Sequence, residues 1–316
     1  MALALLAAAL TAVARHYALR RQLLDHPGER RSHSVATPRG GGIAIVATVL
    51  LAALAGALVV PAWTPMLGGF AIGLVLVAGI GWWDDHRPLP ALSRLCVHML
   101  AAALLALLVW RATGNPVQAV LLFLLATALV NLWNFMDGIN GIACSQALVA
   151  SLALATVMPG PSALAALALA AACLGFLPFN FPRARIFMGD VGSGALGYVL
   201  AALTGLASVT SGLNWLLLLV PLAPFLVDAG FTLLSRMLAG QRWTQPHTQH
   251  VYQRAVKAGF SHGRVTALYI LLGLAGWAAM VAAVPLPPLQ QGGVAVLWAG
   301  LLALSWGFMR MRLRDY

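Results

Sequence analysis

The chain has 316 residues, of which 61% are hydrophobic and 9% are charged, against about 25% charged residues in an ordinary soluble domain. A chain this poor in polar groups cannot cover itself for water, which excludes a soluble globular protein. Its net charge of +11 is not carried by any basic soluble module, which excludes a nucleic-acid-binding protein. The composition predicts an all-α, polytopic integral membrane protein embedded in a lipid bilayer.

Apolar segments of membrane-spanning length recur along the chain. A spanning helix needs roughly 20 mostly apolar residues, within about 17 to 25. The first segment shows no cleavage site followed by a polar chain, so we expect a retained helix rather than a signal peptide. One transmembrane domain is expected over residues 1–316. By this measure the sequence predicts about eleven spans, near residues 2–19, 42–60, 67–82, 92–110, 117–134, 141–158, 162–179, 192–208, 213–234, 265–284 and 291–309.

The charged residues are distributed asymmetrically over these spans. With the N-terminus outside, every lysine and arginine except Arg111 falls on one side. This asymmetry marks the cytoplasmic side, so we expect a periplasmic N-terminus and a cytoplasmic C-terminus. All 8 aspartates and glutamates fall on the same side, although acidic residues contribute little to topology. Their grouping predicts an active site at the cytoplasmic face.

The motif PRGGG precedes the second predicted span. Arg39 is followed there by three glycines that lead directly into the apolar segment. Glycines at a helix start can aim backbone N–H groups at a phosphate. They can equally let two helices approach closely. The sequence leaves both interpretations open.

Two adjacent carboxylates, Asp84 and Asp85, end the third predicted span in GWWDDHRPLP. Neighbouring carboxylates repel each other unless a cation or hydrogen-bond donors intervene. A solvated helix end would tolerate the pair. The alternative is a site for a divalent cation or for the donors of a ligand.

The fifth span ends in NLWNFMDGING, in which Asn131, Asn134, Asp137 and Asn140 recur at every third position. On a continuous helix these side chains would spread over half of the circumference. The two glycines of the segment predict instead that the helix ends and the backbone turns, so that the polar groups face a shared cavity. Hydrogen bonds between helices would account for one or two of the amides, but not for the whole group.

The segment RIFMGDVGSGALG leads into the eighth span and places Asp190 and Ser193 at its start. The N–H groups and the dipole of such a helix start favour an anion. Because Mg²⁺ often joins one or two carboxylates to substrate phosphates, the segment predicts an arrangement of carboxylate, Mg²⁺ and phosphate.

Asp228 lies inside the ninth predicted span, where Pro221 and Pro224 break the helix. An intramembrane carboxylate is a functional hypothesis by default. It is compatible with the ion site of a secondary transporter. It could equally accept hydrogen bonds from backbone groups that the prolines free.

The last long connection contains HTQHVYQR, with His247, His250 and Arg254. No cysteine or third neighbouring histidine completes a zinc site. We therefore favour phosphate binding by these side chains. The alternative is an ordinary solvated loop.

In this order, PRGGG, the DD pair, NxxNFMDGINGIA, FMGDVGS, the proline-rich span with its aspartate and HxxHxYQR resemble the motifs of the polyprenyl-phosphate N-acetylhexosamine-1-phosphate transferases, glycosyltransferase family 4. The HTQHVYQR form is most similar to the branch that initiates O-antigen in lipopolysaccharide biosynthesis. The resemblance implies transfer of a sugar 1-phosphate from a UDP-N-acetylhexosamine to undecaprenyl phosphate, with release of UMP, at the bacterial inner membrane. It also implies Mg²⁺, with Mn²⁺ as an alternative, and it is compatible with a homodimer.

The resemblance also implies roles for particular residues. Asp190 would be the Mg²⁺ ligand, and Asp84 and Asp85 would be the acidic pair for lipid-phosphate activation or metal support. Asn134 and Asp137 would line the nucleotide and pyrophosphate site. Further substrate contacts are expected from Phe187 on the uracil, from the donor-binding residues His247, His250 and Arg254, and from Arg39, Asn131, Asn140 and Ser193.

Two departures from the family pattern leave details open. Asn140 stands where many bacterial members have aspartate, so the role of position 140 is open. His86 and Arg87 follow the acidic pair where the peptidoglycan branch has a lysine, so the identity of the sugar is open as well.

Overall fold

The computed structural model describes residues 1–28, 35–241 and 247–314, most of them in helices. Glu29, Arg30, Arg31, Arg242 and Asp315, which contributed to the predicted charge asymmetry, lie outside the described residues. The helices are α1 Ala2–Arg20, α2 Ile43–Val59, α3 Thr64–His86, α4 Ala91–Thr113, α5 Pro116–Met136, α6 Ile142–Val157, α7 Ser162–Asn180, α8 Asp190–Thr210, α9 Trp215–Leu218, α10 Ala223–Leu238, α11 Val251–Lys257, α12 His262–Ala283 and α13 Pro288–Arg312.

The predicted class, an all-α protein with many membrane-spanning helices, is confirmed. Among the described residues, 9 helical segments are long and apolar enough to cross a bilayer, with α9 and α10 together forming one of them. At the two other predicted positions, α2 has 17 residues and α6 has 16. Most side chains of α6 are buried in protein, so this helix does not need the full apolar length of a lipid-exposed span.

Local sequence explains how neighbouring spans reverse direction. After α4, Gly114 takes a left-handed conformation with φ of 65°, which glycine adopts at no steric cost. The Asn115 side chain then accepts hydrogen bonds from the backbone N–H groups of Val117 and Gln118, at 3.0 and 3.2 Å. Pro116 occupies the first helical position, where no N–H is needed. The residues GNP therefore stop one span and start the next.

Helix α8 lies at the centre of the bundle, and 89% of its most apolar stretch is buried. Its glycines allow neighbouring backbones to approach closely. A Cβ atom on Gly197 would lie 2.3 Å from the Leu129 carbonyl oxygen of α5. A Cβ on Gly81 of α3 would lie 2.5 Å from the Asp190 carbonyl oxygen. Small residues at such contacts are typical of helix packing in membranes, and here they bring the ends of α3, α5 and α8 together.

The predicted break in the ninth span is confirmed. A short 3-10 helix, Val220–Leu222, separates α9 from α10. Near the site, two short strands pair antiparallel. They are β1 Leu24–Asp25 and β2 Thr37–Pro38, with two residues each. The pair precedes α2 and leads the PRGGG motif toward the start of α8.

Candidate active site

Asp85, near the end of α3, holds the start of α8. Its side chain is buried, with 3% of the residue exposed. Its two carboxylate oxygens accept hydrogen bonds from the backbone N–H groups of Asp190 and Val191, each at 3.1 Å. Such a cap satisfies N–H groups that a helix start leaves without partners. Asp85 therefore fixes the position of Asp190.

Gly189 makes this cap possible. Its φ is +74°, in a region that favours glycine. A Cβ atom at this position would lie 2.5 Å from Asp85 Oδ2. The glycine of the MGD motif is thus required by the carboxylate that docks against it.

The predicted anion site at the α8 start has its N–H groups in use. The N–H groups of Gly192 and Ser193 donate to the Gly189 carbonyl, at 3.1 and 3.0 Å, and Asp85 takes the two before them. The expectation that this helix start binds an anion directly is therefore not met by the described geometry. What the segment supplies to the site is the Asp190 carboxylate.

Arg94 of α4 bridges two carboxylates, and the sequence reasoning did not single it out for the site. Its Nη1 lies 2.9 Å from Asp84 Oδ2 and 2.6 Å from Asp190 Oδ2. Asp84 also accepts the Leu89 N–H at 2.7 Å. The side chains of Arg94, Asp84 and Asp190 are 28%, 16% and 30% exposed, so they line an accessible site. An arginine in the first turn of an otherwise apolar helix was the available signal.

The end of α5 contributes Asn134 and Asp137. The helix ends at Met136, which confirms the predicted turn. The Asn134 amide donates to Ser193 Oγ at 2.9 Å, so α5 and α8 are joined beside Asp190. Burial raises the pKa of Asp137 well above its usual range, and the negative charges of Asp190 and Asp85 raise it further.

Asn131 and Asn140 face other partners than Asn134 and Asp137. Asn131 Oδ1 lies 3.3 Å from Nδ1 of His98 on α4, and its amide donates to the Thr127 carbonyl at 2.7 Å. The Asn140 amide donates to the Pro182 carbonyl at 3.0 Å. Asn131 and Asn140 therefore have hydrogen-bond partners different from that of Asn134, and the shared cavity for all four side chains stays a prediction. Their predicted roles in substrate binding stay predictions.

The structure supports close packing as the role of the PRGGG motif, one of the two interpretations that the sequence leaves open. The N–H groups of Gly41 and Gly42 donate to the carbonyls of Phe187 and Met188, both at 2.9 Å. The Phe187 N–H donates to the Pro38 carbonyl at 2.7 Å. These backbone bonds use the glycine N–H groups that a phosphate would need, and they fix the partly buried Phe187 in front of α8.

Close contact between α2 and α8 completes this packing. A Cβ on Gly42 would lie 2.2 Å from the Cα of Gly192, so both positions need glycine. The Arg39 guanidinium donates to the backbone carbonyl of Asp85, which supports the residue that caps α8. Ser193 is buried and accepts from Asn134. Arg39 thus stabilises the backbone of Asp85, and Ser193 joins α8 to α5 next to Asp190.

Asp228 of α10 caps a second helix, α11. Its Oδ1 accepts the Val251 N–H at 2.9 Å, and its Oδ2 accepts the Tyr252 N–H at 3.3 Å. The Tyr269 hydroxyl of α12 donates to the same Oδ2 at 2.5 Å. Asp228 therefore satisfies backbone groups of α11, and not those that the prolines of its own span free. With these donors around it, the carboxylate gives no support to the ion site of a transporter.

The predicted phosphate-binding histidines lie beside the end of α5. His250 is 2% exposed, and its ring centroid is 6.4 Å from that of Phe135 and 4.8 Å from that of His247. Burial lowers the pKa of His247 to about 3, and the charges of His250, Arg236 and Arg310 lower it further. The His247 imidazole is therefore neutral at neutral pH. Arg254 donates to the Leu313 carbonyl at 3.2 Å, toward the C-terminal end of α13.

Asp137 and Asp190 are suited to bind a divalent cation together with the phosphates of a substrate. Among the described residues, no three His, Cys, Asp or Glu side chains are grouped to hold a metal. Within the same part of the chain, the Asp137 carboxylate accepts no hydrogen bond, although Asp190 and Asp85 repel it. Mg²⁺ is commonly held by one or two carboxylates together with substrate phosphates. Asp137 and Asp190 offer that set of oxygens.

The chain is similar in sequence to several known proteins. Residues 67–208 match the family model of glycosyl transferase family 4. The chain is 30% identical to decaprenyl-phosphate N-acetylglucosaminephosphotransferase of Mycobacterium tuberculosis, over 91% of this chain and 84% of that protein. It is 26% identical to a probable undecaprenyl-phosphate N-acetylglucosaminyl 1-phosphate transferase of Bacillus subtilis, over 83% and 77%. A phospho-N-acetylmuramoyl-pentapeptide-transferase of Thermosynechococcus vestitus is 35% identical over 54% and 52%.

Proposed function

This chain belongs to glycosyl transferase family 4 and is a phosphotransferase acting on polyprenyl phosphate, and from that premise we propose its donor and its pathway. The proposed donor is a UDP-N-acetylhexosamine, and the proposed acceptor is undecaprenyl phosphate. The reaction releases UMP and leaves the sugar on a polyprenyl diphosphate. The names of the relatives from Mycobacterium tuberculosis and Bacillus subtilis support N-acetylglucosamine as the first sugar to test.

One observation supports the proposal most strongly. Asp84 lies near the end of α3, Asp137 directly follows α5, and Asp190 begins α8. These three residues meet at one end of an apolar bundle, with Arg94 between Asp84 and Asp190. A reaction between a water-soluble diphosphate and a membrane lipid needs such a charged site at the bilayer surface. The predicted charge asymmetry supports a cytoplasmic location for it, in a bacterial inner membrane.

The acceptor needs little activation by the protein. The second pKa of a phosphate monoester is about 6, so the lipid phosphate is largely dianionic at neutral pH. Phosphoryl transfer then depends mostly on positioning and on neutralising charge. A carboxylate base is therefore not required, and the buried Asp85, with both oxygens engaged by α8, is assigned the task of positioning Asp190.

Asp137 and Asp190 would hold Mg²⁺, or Mn²⁺ in its place. The bound cation would supply positive charge for the diphosphate of the donor. Arg94 is placed to neutralise charge on a phosphate that enters beside Asp84 and Asp190, because its guanidinium is partly exposed and already spans them. Phe187 is proposed to contact the uracil, and His247 and His250 the sugar or phosphates of the donor.

The pathway is proposed from a single loop. The HTQHVYQR form supports initiation of O-antigen or a related cell-surface polysaccharide. We propose that the same loop recognises the sugar of the donor.

The test is UMP release by purified protein in detergent. A panel of UDP-N-acetyl sugars is offered with undecaprenyl phosphate, with Mg²⁺ or with EDTA. We expect release that needs both the lipid and the metal, fastest with UDP-N-acetylglucosamine. Release that continues in EDTA would contradict the metal assignment. No release with any UDP-sugar, from protein shown to be folded, would contradict the proposed donor class.

A further inference from the structure

We propose that Asp228 is a positioning residue of this site, which holds α11 so that His250 and Tyr252 stay against the end of α5. The inference rests on the proposed function for its effect on the donor, but not for the structural contact itself. Asp228 is far along the chain from the carboxylates at the site and lies beyond the residues that match the family model.

The surroundings of Asp228 give it a specific structural task. Only 3% of the residue is exposed, and a buried carboxylate is costly unless it is hydrogen-bonded. The N–H groups of Val251 and Tyr252 both donate to it. The hydroxyls of Tyr269 and Thr232 donate as well, at 2.5 and 3.3 Å. Two of the four donors thus come from α11, a helix of seven residues that is too short to be stable by itself.

Tyr252 connects α11 to the turn that contains Asp137. The residue is fully buried, and its hydroxyl donates to the Phe135 carbonyl at 2.9 Å. A Cβ atom on Gly138 would lie 2.2 Å from the same hydroxyl. Residues 135 and 138 flank Asp137 on both sides, so Tyr252 packs directly on the turn that presents Asp137.

His250 is positioned by the same cap. It immediately precedes α11, and its backbone N–H contacts the Gln253 side chain at 3.4 Å. Its Nδ1 lies 3.9 Å from Asp228 Oδ1, and its ring packs near Phe135. If α11 moves away from Asp228, both His250 and the support of the Asp137 turn move with it. The expected consequence is weaker binding of the donor.

A simpler role for Asp228 would be to join α10 to α12 through Tyr269. Two substitutions separate these roles. Asp228→Asn keeps the shape of the side chain, but it removes the charge and replaces one acceptor oxygen with an NH2 group that only donates. Two of the four hydrogen bonds are then lost, and the other two are weakened. Tyr269→Phe removes the α12 hydroxyl alone and leaves both α11 contacts in place.

Val251→Pro provides an independent test at the other end of the contact. Val251 is the first residue of α11, where proline is well tolerated, and His250 has the extended conformation that proline requires before it, with ψ of 147°. The substitution deletes the N–H that donates to Asp228. It leaves the carboxylate and Tyr269 untouched, so it tests the proposal even if Asp228→Asn folds poorly.

Hydrogen exchange measures the structural part of the proposal without any substrate. In Asp228→Asn and in Val251→Pro, we expect amides of residues 252–257 to exchange about tenfold faster, the size expected for one lost hydrogen bond to a charged group. Residues 190–210 serve as the internal reference and should be unchanged. Tyr269→Phe should change exchange in α11 by less than about twofold.

Steady-state kinetics measure the functional part. Asp228→Asn and Val251→Pro should each raise the KM for the UDP-sugar about tenfold and change kcat by less than about twofold. The double variant should be no worse than Asp228→Asn, because both substitutions break the same contact. Unchanged exchange in α11, an equal effect of Tyr269→Phe, or a fall in kcat at constant KM would each overturn the proposal. Absence of turnover in the wild type would count against the proposed function instead, and hydrogen exchange would still decide the contact.

Discussion

Asp85 and Asp228 do the same job in two regions of the molecule. Each lies on an apolar helix, is 3% exposed, and accepts hydrogen bonds from two consecutive N–H groups of a helix that begins elsewhere in the chain. Asp85 caps α8, a buried helix of 21 residues. Asp228 caps α11, which has 7.

The neighbours of the two carboxylates differ. Asp85 lies among other carboxylates, and its cap places Asp190 beside Asp137 and Arg94. Asp228 lies among hydroxyl donors, and its cap places His250 and Tyr252. A buried aspartate in a membrane helix is therefore no evidence by itself for an ion site or for catalysis. In this protein it serves to locate the helix that carries the functional group.

The largest effect on kcat is expected from substitution of Asp190, the residue that Asp85 positions. Asp190→Asn should lower kcat by about a thousandfold or more, because a lost metal ligand removes several kcal/mol of charge stabilisation. Thermal unfolding should change little, since the side chain is partly exposed. UMP release measures the first effect. Turnover near the wild-type value would refute the metal assignment.

A smaller loss is expected at the cap itself. Asp85→Asn replaces one acceptor oxygen with an NH2 group, so one of the two hydrogen bonds to α8 is lost and the other is weakened. This should lower kcat by about 10- to 100-fold. It should leave the KM for the donor within about threefold, in contrast to Asp228→Asn. Equal effects of the two substitutions on kcat and KM would remove the distinction between the two caps.

Gly138→Ala tests the contact between α11 and the Asp137 turn from the opposite side. The added methyl would overlap the Tyr252 hydroxyl and should raise the KM for the donor roughly tenfold, since overpacking costs about 1–3 kcal/mol. Gly230→Ala, with nothing within 4 Å of the new Cβ, is the matched control in α10. An equal result for both glycines would show that the overlap does not matter.

The smallest effect is expected at Arg94. Its ion pairs are partly exposed and worth about 0.2–1 kcal/mol, so Arg94→Gln should lower the Mg²⁺ concentration for half-maximal activity only about two- to threefold. The reason is that the guanidinium competes with the cation for Asp190. Titration of UMP release with Mg²⁺ measures it. A higher Mg²⁺ requirement in the variant would mean that Arg94 assists the cation.

Much of the architecture was predictable because it depends on composition and local chemistry. A lipid-exposed helix must be apolar over a fixed length, so the positions of the spans could be read directly. The end of α5 before Asp137 and the break near Pro221 were predictable too, since glycine and proline act on the backbone locally. The family resemblance came from the order of motifs, and the chain's membership of the family agrees with it.

What only the tertiary structure decided is which partner each polar group has. Asn131 and Asn134 look equivalent in the sequence, but one faces His98 and the other Ser193. Arg94 joins carboxylates 10 and 96 residues away, and Asp228 accepts from residues 23 and 24 positions later. A hydrogen bond depends on distances of about 3 Å between atoms, and the packing of helices α3, α5, α8 and α10 sets those distances. The sequence by itself therefore determined which residues are polar in an apolar chain, while the packed helices determined what each one binds.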